Sequence, residues 1–507
     1  MGRKVGRRGG RGVVPPCFHI GGSYARESGA NRRALSRLHP QETFIERAPL
    51  SFVTIPGLDE KRAIVCRYSS TVTKDPHWYA HTVAIADPGP LDALLPADPD
   101  VDWVAWLRHG EGFVGLGAAV HHVFPGESGA RMVDARWRDF CAHATIDNEL
   151  PDVVGTGPLA FSSLPFDPRH TTDAAVLMVP ALIVGRQDGR AWLTRIAPSP
   201  GTPVLPPAQA APLPPSIASS APASLDAERW QAAVARALGL LDESFTKVVL
   251  ARAVDVRAGE PIDARYLASF LAGRYPTCWT FHADGLVGAS PELLIRLDAG
   301  QVTSRVLAGT IHRDTGDEKN LRWGELAQEL TRSSKNLVEH ELAVESVAAG
   351  LAPYCSDIVV PLRPSVLELP NVLHLASDIT GDARPGVSVL RLADALHPSA
   401  AVCGTPTPRA RATIARLEHL DRGRYAGPVG WMDASGDGEF AIALRCGQLS
   451  PDCRTIRLYA GCGIVSGSDP AAEYAETQAK LLPMQEALQS GDGSAHKSGD
   501  GSDGPTV

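Results

Sequence analysis

Three residues near the end of the chain have the types and spacing of a metal and anion site. Glu473 and Glu476 lie three positions apart, and Lys480 follows four positions after Glu476. If this segment is helical, the three side chains share one face of the helix. The two carboxylates could hold a hard cation and the lysine could bind an anion. An exposed row of salt bridges has the same spacing, so the pattern alone leaves both interpretations open.

A third carboxylate lies in apolar surroundings. Glu339 belongs to the segment NLVEHELAVE, where helical spacing places it among leucines and valines. A carboxylate in such a setting needs a partner, which is either a buried salt bridge or a metal ion. Glu339 together with Glu476 would suit Mg²⁺, which takes few protein carboxylates and leaves positions for water and substrate.

Two further ionisable residues interrupt runs that are typical of strands. Lys247 lies in FTKVVLAR, and Glu292 lies in GASPELLI. Exposed strand positions are one interpretation of both residues. In the other, the lysine and the glutamate face one ligand and act as a general base and a general acid, which requires surroundings that tune them for proton transfer.

The elements that must position these residues alternate between strand-like and helix-like patterns. FTKVVLARAVDVRA predicts a strand that carries Lys247, and a long helical pattern ending in NLVEHELAVESVAAGL carries Glu339. GEFAIALRCGQLSPDCRTIRLYAGCGIV predicts two strands that lead into the helix with Glu473 and Glu476. Because strands outnumber simple βαβ units, the pattern predicts an α/β fold of the α+β type, with a mixed or antiparallel sheet system covered by helices.

Composition excludes several classes of function. The 507 residues are 44% hydrophobic and 21% charged, and the net charge is −8. Such a chain has no global field for nucleic acid or an anionic membrane, so an anionic substrate must be bound by local cations or a metal. The nine cysteines contain no C-x-x-C pair, and no apolar run is long enough to span a bilayer. We expect a cytoplasmic protein with reduced thiols.

Three segments have the composition of unstructured chain, and they divide the sequence. They are a basic tail at residues 1–12, a Pro/Ala-rich linker at 197–226 and a Gly/Ser/Asp tail at 489–507. Residues 13–488, with the linker inside them, are predicted to form a single domain. Its two parts are an N-terminal half at residues 13–196 and a catalytic C-terminal half at 227–488.

Ten segments, in this order, resemble motifs of the chorismate-utilising enzymes, most closely the isochorismate synthases. Between about residues 240 and 488 they are KVVLAR, GASPELL, VLAGT, NLVEHELAV, HLASDITG, ALHPSAAVCGTP, YAGPVGW, ALRC, YAGCGIV and EYAETQAK. The first half matches more loosely, through FVGLGAA and GTGPLAFSSLPFD. The resemblance implies one α/β domain in which two stacked, largely antiparallel sheets carry helices outside and a site in a cleft.

The resemblance also assigns roles to individual residues. Glu339 and Glu476 would hold Mg²⁺, with Glu473 close by through water, and the metal would bind the ring carboxylate of chorismate. Lys480, Arg445 and the Gly461 backbone would bind carboxylates. The remaining substrate-binding positions that it implies are Gly309, Thr310, His374, Ala401 and Tyr425.

A few positions choose among the reactions of this family. The resemblance implies that Lys247 activates water for addition at ring C2, while Glu292 protonates the hydroxyl that leaves C4. Anthranilate synthases carry glutamine at the position of Lys247, and aminodeoxychorismate synthases carry a nucleophilic lysine at the position of Ala308. Salicylate synthases share Lys247 and Glu292 and then eliminate pyruvate, but they usually have threonine at the position of Ala401.

The resemblance therefore predicts a Mg²⁺-dependent isochorismate synthase that feeds menaquinone or siderophore biosynthesis. A salicylate synthase is the alternative, and a non-catalytic chorismate-binding protein is a remoter one. Chorismate is the expected small-molecule partner. No nucleic acid, membrane or glutamine amidotransferase subunit is expected as a partner, and a monomer is the default.

Overall fold

The computed structural model of the chain describes residues 76–312, 322–369 and 372–489, all within one compact unit. The basic tail at residues 1–12 and the start of the predicted N-terminal half, up to residue 75, lie outside the described residues. So does the predicted C-terminal tail, apart from Gln489, which ends a helix.

The described residues form twenty-one strands and eight α-helices. The strands are β1 Tyr79–Ile85, β2 Trp103–Arg108, β3 Glu111–Phe124, β4 Thr145–Asn148, β5 Leu159–Ser163, β6 Ala175–Gln187, β7 Arg190–Ala197, β8 Ile217–Pro222, β9 Lys247–Ala258, β10 Trp279–Ala283, β11 Leu286–Ser290, β12 Leu293–Asp298, β13 Gln301–His312, β14 Cys355–Val359, β15 Ser365–Leu369, β16 Val372–Ala383, β17 Gly404–Thr405, β18 Pro428–Asp433, β19 Gly438–Ile442, β20 Cys446–Leu449 and β21 Thr455–Val465. The helices are α1 Gly129–His143, α2 Ala227–Leu238, α3 Ala264–Arg274, α4 Arg322–Arg332, α5 Ser334–Leu351, α6 Val389–Leu396, α7 Thr407–Leu417 and α8 Pro470–Gln489. A short 3₁₀ helix covers Leu91–Leu94.

The strands form two arms that meet at β3 and β6. One edge of β6 pairs with β3, while its other edge pairs first with β5 and then with β7. From β3 the first arm continues through β2, β10, β11, β20 and β21 to β9. From β5 the second arm continues through β18, β19, β12 and β13 to β16. Among these described pairings only β1 with β4 is parallel.

The two arms face each other across a shared core. Glu439 on β19 accepts hydrogen bonds from the indole nitrogens of Trp106 on β2 and Trp279 on β10, at 2.8 and 3.2 Å. The rings of Phe113 on β3 and Trp431 on β18 also meet edge to face, with centroids 4.8 Å apart. The predicted fold class, an α+β type of α/β fold with two stacked and largely antiparallel sheets, is confirmed.

Strand β9 is buried almost throughout, which explains its nearly continuous apolar sequence. It pairs with β21 over all but its last residue, from Lys247 opposite Val465 to Arg257 opposite Thr455. The prediction that this segment is a strand carrying Lys247 is confirmed. The pairing also sets Lys247 beside the glycine-rich end of β21.

The long helical pattern before residue 351 is two helices rather than one. Ser333 separates α4 from α5, because its side chain accepts a hydrogen bond from the backbone of Asn336 and caps the second helix. Next to Glu339, His340 donates from Nδ1 to the carbonyl of Ala308 at 3.2 Å, which fastens α5 to β13. The helix predicted around Glu473 and Glu476 is α8, which begins at Pro470. The side chain of the preceding residue, Asp469, accepts a hydrogen bond from the backbone N–H of Ala472.

Other parts of the chain qualify the predictions made from composition. The segment at residues 197–226 contains β8, which pairs with β9, so it is ordered into the sheet at its end. The seven cysteines within the described residues are all free. Within the part of the chain that the structure describes, no helix is both long and apolar enough to cross a membrane.

Candidate active site

One cleft gathers most of the predicted site residues from separate elements. Helices α5 and α8 contribute to its lining, as do β13, β16 and β21. Of the predicted residues, those that line it are Glu292, Gly309, Thr310, Glu339, His374, Ala401, Tyr425, Arg445, Gly461, Glu476 and Lys480. The other two predicted residues, Lys247 and Glu473, are buried and do not line it. Lys247 contacts the lining residue Glu339, and the carbonyl of Glu473 is 3.7 Å from Sγ of the lining residue Cys462.

Lys247 lies in an ion pair with Glu339. The Nζ of Lys247 is 3.1 Å from Oε1 of Glu339, and the lysine side chain is fully buried. Gly463 on β21 leaves room for this pair, because an added Cβ would overlap Oε1 of Glu339 and lie 2.9 Å from Cε of Lys247. Gly463 was missed at the sequence level, although it belongs to the YAGCGIV motif.

Glu292 is buried at the junction of β11 and β12. Burial raises the pKa of Glu292 to about 7, although a hydrogen bond from the Leu307 backbone and the charges of Lys247, Lys480 and Arg445 oppose this shift. Its backbone N–H donates to the Ser290 hydroxyl at 3.2 Å. Neither Glu292 nor Lys247 occupies an exposed strand position, and Glu292 can carry a proton at neutral pH.

The acidic residues of α8 form salt bridges, and Glu476 also lines the cleft. Oε1 of Glu476 is 2.6 Å from Nζ of Lys480, which also donates to the carbonyl of Gly461 at 3.0 Å. Glu473 is almost fully buried, and its Oε1 is 2.9 Å from Nζ of Lys335 on α5. Lys335 was missed at the sequence level, although it precedes Glu339 by one helical turn.

The donor chemistry of the cleft suits a hard cation. Within the described residues, no group of three or more His, Cys, Asp or Glu side chains is clustered closely enough to hold a metal ion as it stands. Glu339 and Glu476 nevertheless line the same cleft, and Mg²⁺ is usually bound through one or two carboxylates while it keeps several waters. These carboxylates also attract cations already, since each is paired with a lysine. The residues therefore fit Mg²⁺.

A polar chain of three side chains forms another wall of the cleft. Arg445 donates to Nε2 of His374 at 3.4 Å, so the Nδ1 nitrogen carries the proton and donates to the Thr310 hydroxyl at 3.0 Å. Burial lowers the pKa of Arg445, which remains a cation. Its φ of 48° is unusual for a residue with a side chain, and such backbone strain is concentrated at functional sites.

Two local features shape the floor of the cleft. Gly309 has a φ of 78° and forms a bulge in β13 between Ala308 and Thr310, where a side chain would press on Asn336 of α5. The Tyr425 ring stacks on Tyr459 with centroids 4.9 Å apart, and burial raises the pKa of its hydroxyl.

Arg422 is a further cleft residue that the sequence did not indicate. It is buried in an ion pair with Glu418 and donates to the carbonyls of Val249 and Val402 at 2.8 and 2.9 Å. Arg422 therefore ties the strand of Lys247 to the loop that presents Ala401.

Comparison with known proteins places this cleft in context. Residues 205–489 match the family model described as chorismate binding enzyme. Isochorismate synthase DhbC of Bacillus subtilis is 41% identical, over 49% of this chain and 64% of its own length. The salicylate biosynthesis isochorismate synthase of Pseudomonas aeruginosa is 32% identical, over 79% of this chain and 88% of its own length. The structure of MenF, the menaquinone-specific isochorismate synthase of Escherichia coli, aligns with a TM-score of 0.69 and 26% identity. The alignment covers 82% of this chain and 95% of that structure. The alignment thus spans less than two thirds of the Bacillus protein and most of the other two.

Proposed function

Because this chain belongs to the chorismate-binding enzyme family, we propose that it is a Mg²⁺-dependent isochorismate synthase. The observation that carries this proposal is the presence at one cleft of both a buried lysine and a buried glutamate that can carry a proton. Lys247 is fully buried, and the pKa of Glu292 is about 7 because of its burial. An isomerisation that moves a hydroxyl group needs a general base to activate the incoming water and a general acid to protonate the departing hydroxyl.

In the proposed reaction, water adds at ring C2 of chorismate and the C4 hydroxyl leaves as water. As the general base, Lys247 accepts a proton from the incoming water while the water oxygen bonds to C2. Both ring double bonds shift by one position, from C1–C2 to C6–C1 and from C5–C6 to C4–C5. The bond from C4 to oxygen breaks, and Glu292 donates its proton to the departing oxygen. One water enters and one leaves, and the proton gained by Lys247 returns to Glu292 through solvent.

The remaining residues of the cleft would hold the substrate dianion in place. Arg445 and Lys480 supply positive charge for its carboxylates, and the hydrogen bond from Arg445 to His374 fixes one wall against the ring. A bound Mg²⁺, held by Glu339 and Glu476, would supply charge that neutralises the ring carboxylate. The product would enter menaquinone or siderophore biosynthesis, and these residues would act in the same way for either route.

Product analysis tests this function directly. With chorismate and Mg²⁺ but no ammonia, the enzyme should form isochorismate, resolved by chromatography, and a chelator should abolish its formation because the metal charge is lost. Release of pyruvate, followed by coupling to lactate dehydrogenase, would instead identify a salicylate synthase. Anthranilate formed with ammonia, or tight chorismate binding without turnover, would contradict the proposal.

Substitution of Gly463 should displace the general base, Lys247, although no charged residue is replaced. In Gly463→Ala the new methyl group would displace the pair of Lys247 and Glu339, and a displacement near 1 Å can reduce turnover about a hundredfold. The measurement is kcat for isochorismate formation at saturating Mg²⁺. Gly273→Ala on α3 is the matched control, because an added Cβ there meets nothing within 4 Å. Equal activity of both variants would contradict the proposed placement of Lys247.

A further inference from the structure

The lysines of this protein are distributed unevenly. The chain has eight lysines among its 49 basic residues. Within residues 76–312, 322–369 and 372–489, the lysines are Lys247, Lys335 and Lys480. Each is paired with a different one of the three acids assigned to the metal site. The pairs are Lys247 with Glu339, Lys335 with Glu473, and Lys480 with Glu476.

The three pairs balance the charge of the site, and they differ in freedom of movement. Lys247 is fully buried, and Lys480 is also bound to the carbonyl of Gly461. The Lys335 side chain is 37% exposed, whereas its partner Glu473 is 3% exposed. Lys335 therefore has solvent beside it, and it is the member of the three that can leave its carboxylate without crossing the core.

The position of Lys335 in its helix is unfavourable for a cation by itself. It lies in the first turn of α5, where the positive end of the helix dipole repels an ammonium group. Burial opposes its charge, yet the pKa of Lys335 is raised, because Glu473 attracts it most strongly and Glu339 and Glu476 add to that attraction. The acids of the proposed metal site are thus what holds this lysine in place.

We propose that Lys335 is a built-in counter-cation of the metal-free enzyme, which Mg²⁺ displaces from Glu473 when it binds. The inference rests on the Mg²⁺ site of the proposed function. A buried carboxylate without a partner is costly, so Glu473 needs a cation whether or not metal is present. Lys335 meets that need in the metal-free enzyme and joins α5 to α8. When Mg²⁺ enters beside Lys335, the two cations repel each other, and movement of the lysine side chain into solvent removes that repulsion.

The first test follows the amines of the unaltered full-length enzyme. Amine-selective acetylation, read by peptide mass spectrometry, should label Lys335 severalfold faster after addition of Mg²⁺, because the side chain has moved into solvent. Lys247 should stay protected under both conditions and serves as the internal reference. Sodium chloride at matched ionic strength should leave the labelling of Lys335 unchanged.

The second test measures metal binding by calorimetry, without reference to turnover. Lys335→Gln removes the competing cation and should tighten Mg²⁺ binding about tenfold. Lys335→Arg keeps the charge and is the matched control, with an affinity near that of the unaltered enzyme. If Lys335→Gln does not fold, the labelling experiment still decides.

The outcomes separate this inference from the proposal beneath it. If Mg²⁺ binds the unaltered enzyme but neither the labelling of Lys335 nor the affinity of Lys335→Gln changes, the role of Lys335 is wrong and the metal site stands. Weaker Mg²⁺ binding by Lys335→Gln also contradicts displacement, since it would mean that Lys335 supports the metal. If the unaltered enzyme shows no Mg²⁺ binding even with chorismate present, both proposals are wrong.

Discussion

Replacement of Lys247 by alanine is expected to lower kcat by about a hundredfold to ten-thousandfold, the usual contribution of a general base. The substitution also leaves Glu339 without its partner at 3.1 Å. Added Mg²⁺ can compensate for that charge but cannot accept a proton from the attacking water. The loss should therefore persist across a Mg²⁺ titration, and chorismate binding should largely survive.

Glu476→Gln is the informative comparison for Lys247→Ala. A neutral amide is a poor ligand for Mg²⁺, so this variant should lose activity at low metal concentration and regain part of it as Mg²⁺ is raised. Circular dichroism should confirm that both variants are folded before their kinetics are compared. If metal restores Lys247→Ala and fails to restore Glu476→Gln, the roles assigned to the two residues are reversed.

Glu292→Gln is expected to cause a loss of similar size, because the amide cannot protonate the departing hydroxyl. In the unaltered enzyme the same role predicts a pH dependence. Glu292 has a pKa of about 7, so its protonated form is present below that pH, and turnover should fall as pH rises through 7. The measurement is the pH profile of kcat, in which Glu292→Gln should retain only low activity without this alkaline decline.

Glu292→Gln should lower activity without lowering stability at alkaline pH. The pKa of Glu292 is raised from 4.5 to about 7 in the folded protein, so the folded state binds the proton more tightly than the unfolded state. The stability that comes from this proton is complete below about pH 4.5 and is lost as pH rises through 7. Glu292→Gln removes the buried charge, so at pH 8 its melting temperature should equal or exceed that of the unaltered enzyme. A large decrease at pH 8 would show that ionised Glu292 stabilises the fold.

The residues that sequence could predict are those whose surroundings are local or belong to a long motif. Glu476 and Lys480 are one helical turn apart, so their pairing follows from spacing. The strand of Lys247 could be predicted from its apolar run, because a central strand is buried on both faces. The break at Ser333 also had a local signal, since serine is a preferred N-cap.

The residues that sequence missed depend on contacts between distant elements. Lys335 matters because α8 brings Glu473 against α5, and no spacing along the chain encodes that approach. Gly463 matters because its missing side chain accommodates an ion pair from two other elements. The burial that raises the pKa of Glu292 likewise results from the packing of two sheets, which a single strand pattern does not show.

The meeting of both arms at β3 and β6 limits how the chain can be divided. The family match begins at residue 205, but the sheets do not end there. A fragment of residues 205–489 would retain every predicted site residue, yet β10 would lose its partner β2 and β18 would lose its partner β5. Two newly exposed strand edges are templates for pairing between molecules. The half that carries the chemistry should therefore aggregate when it is expressed alone, and a shortened form of this enzyme should keep the strands before residue 205.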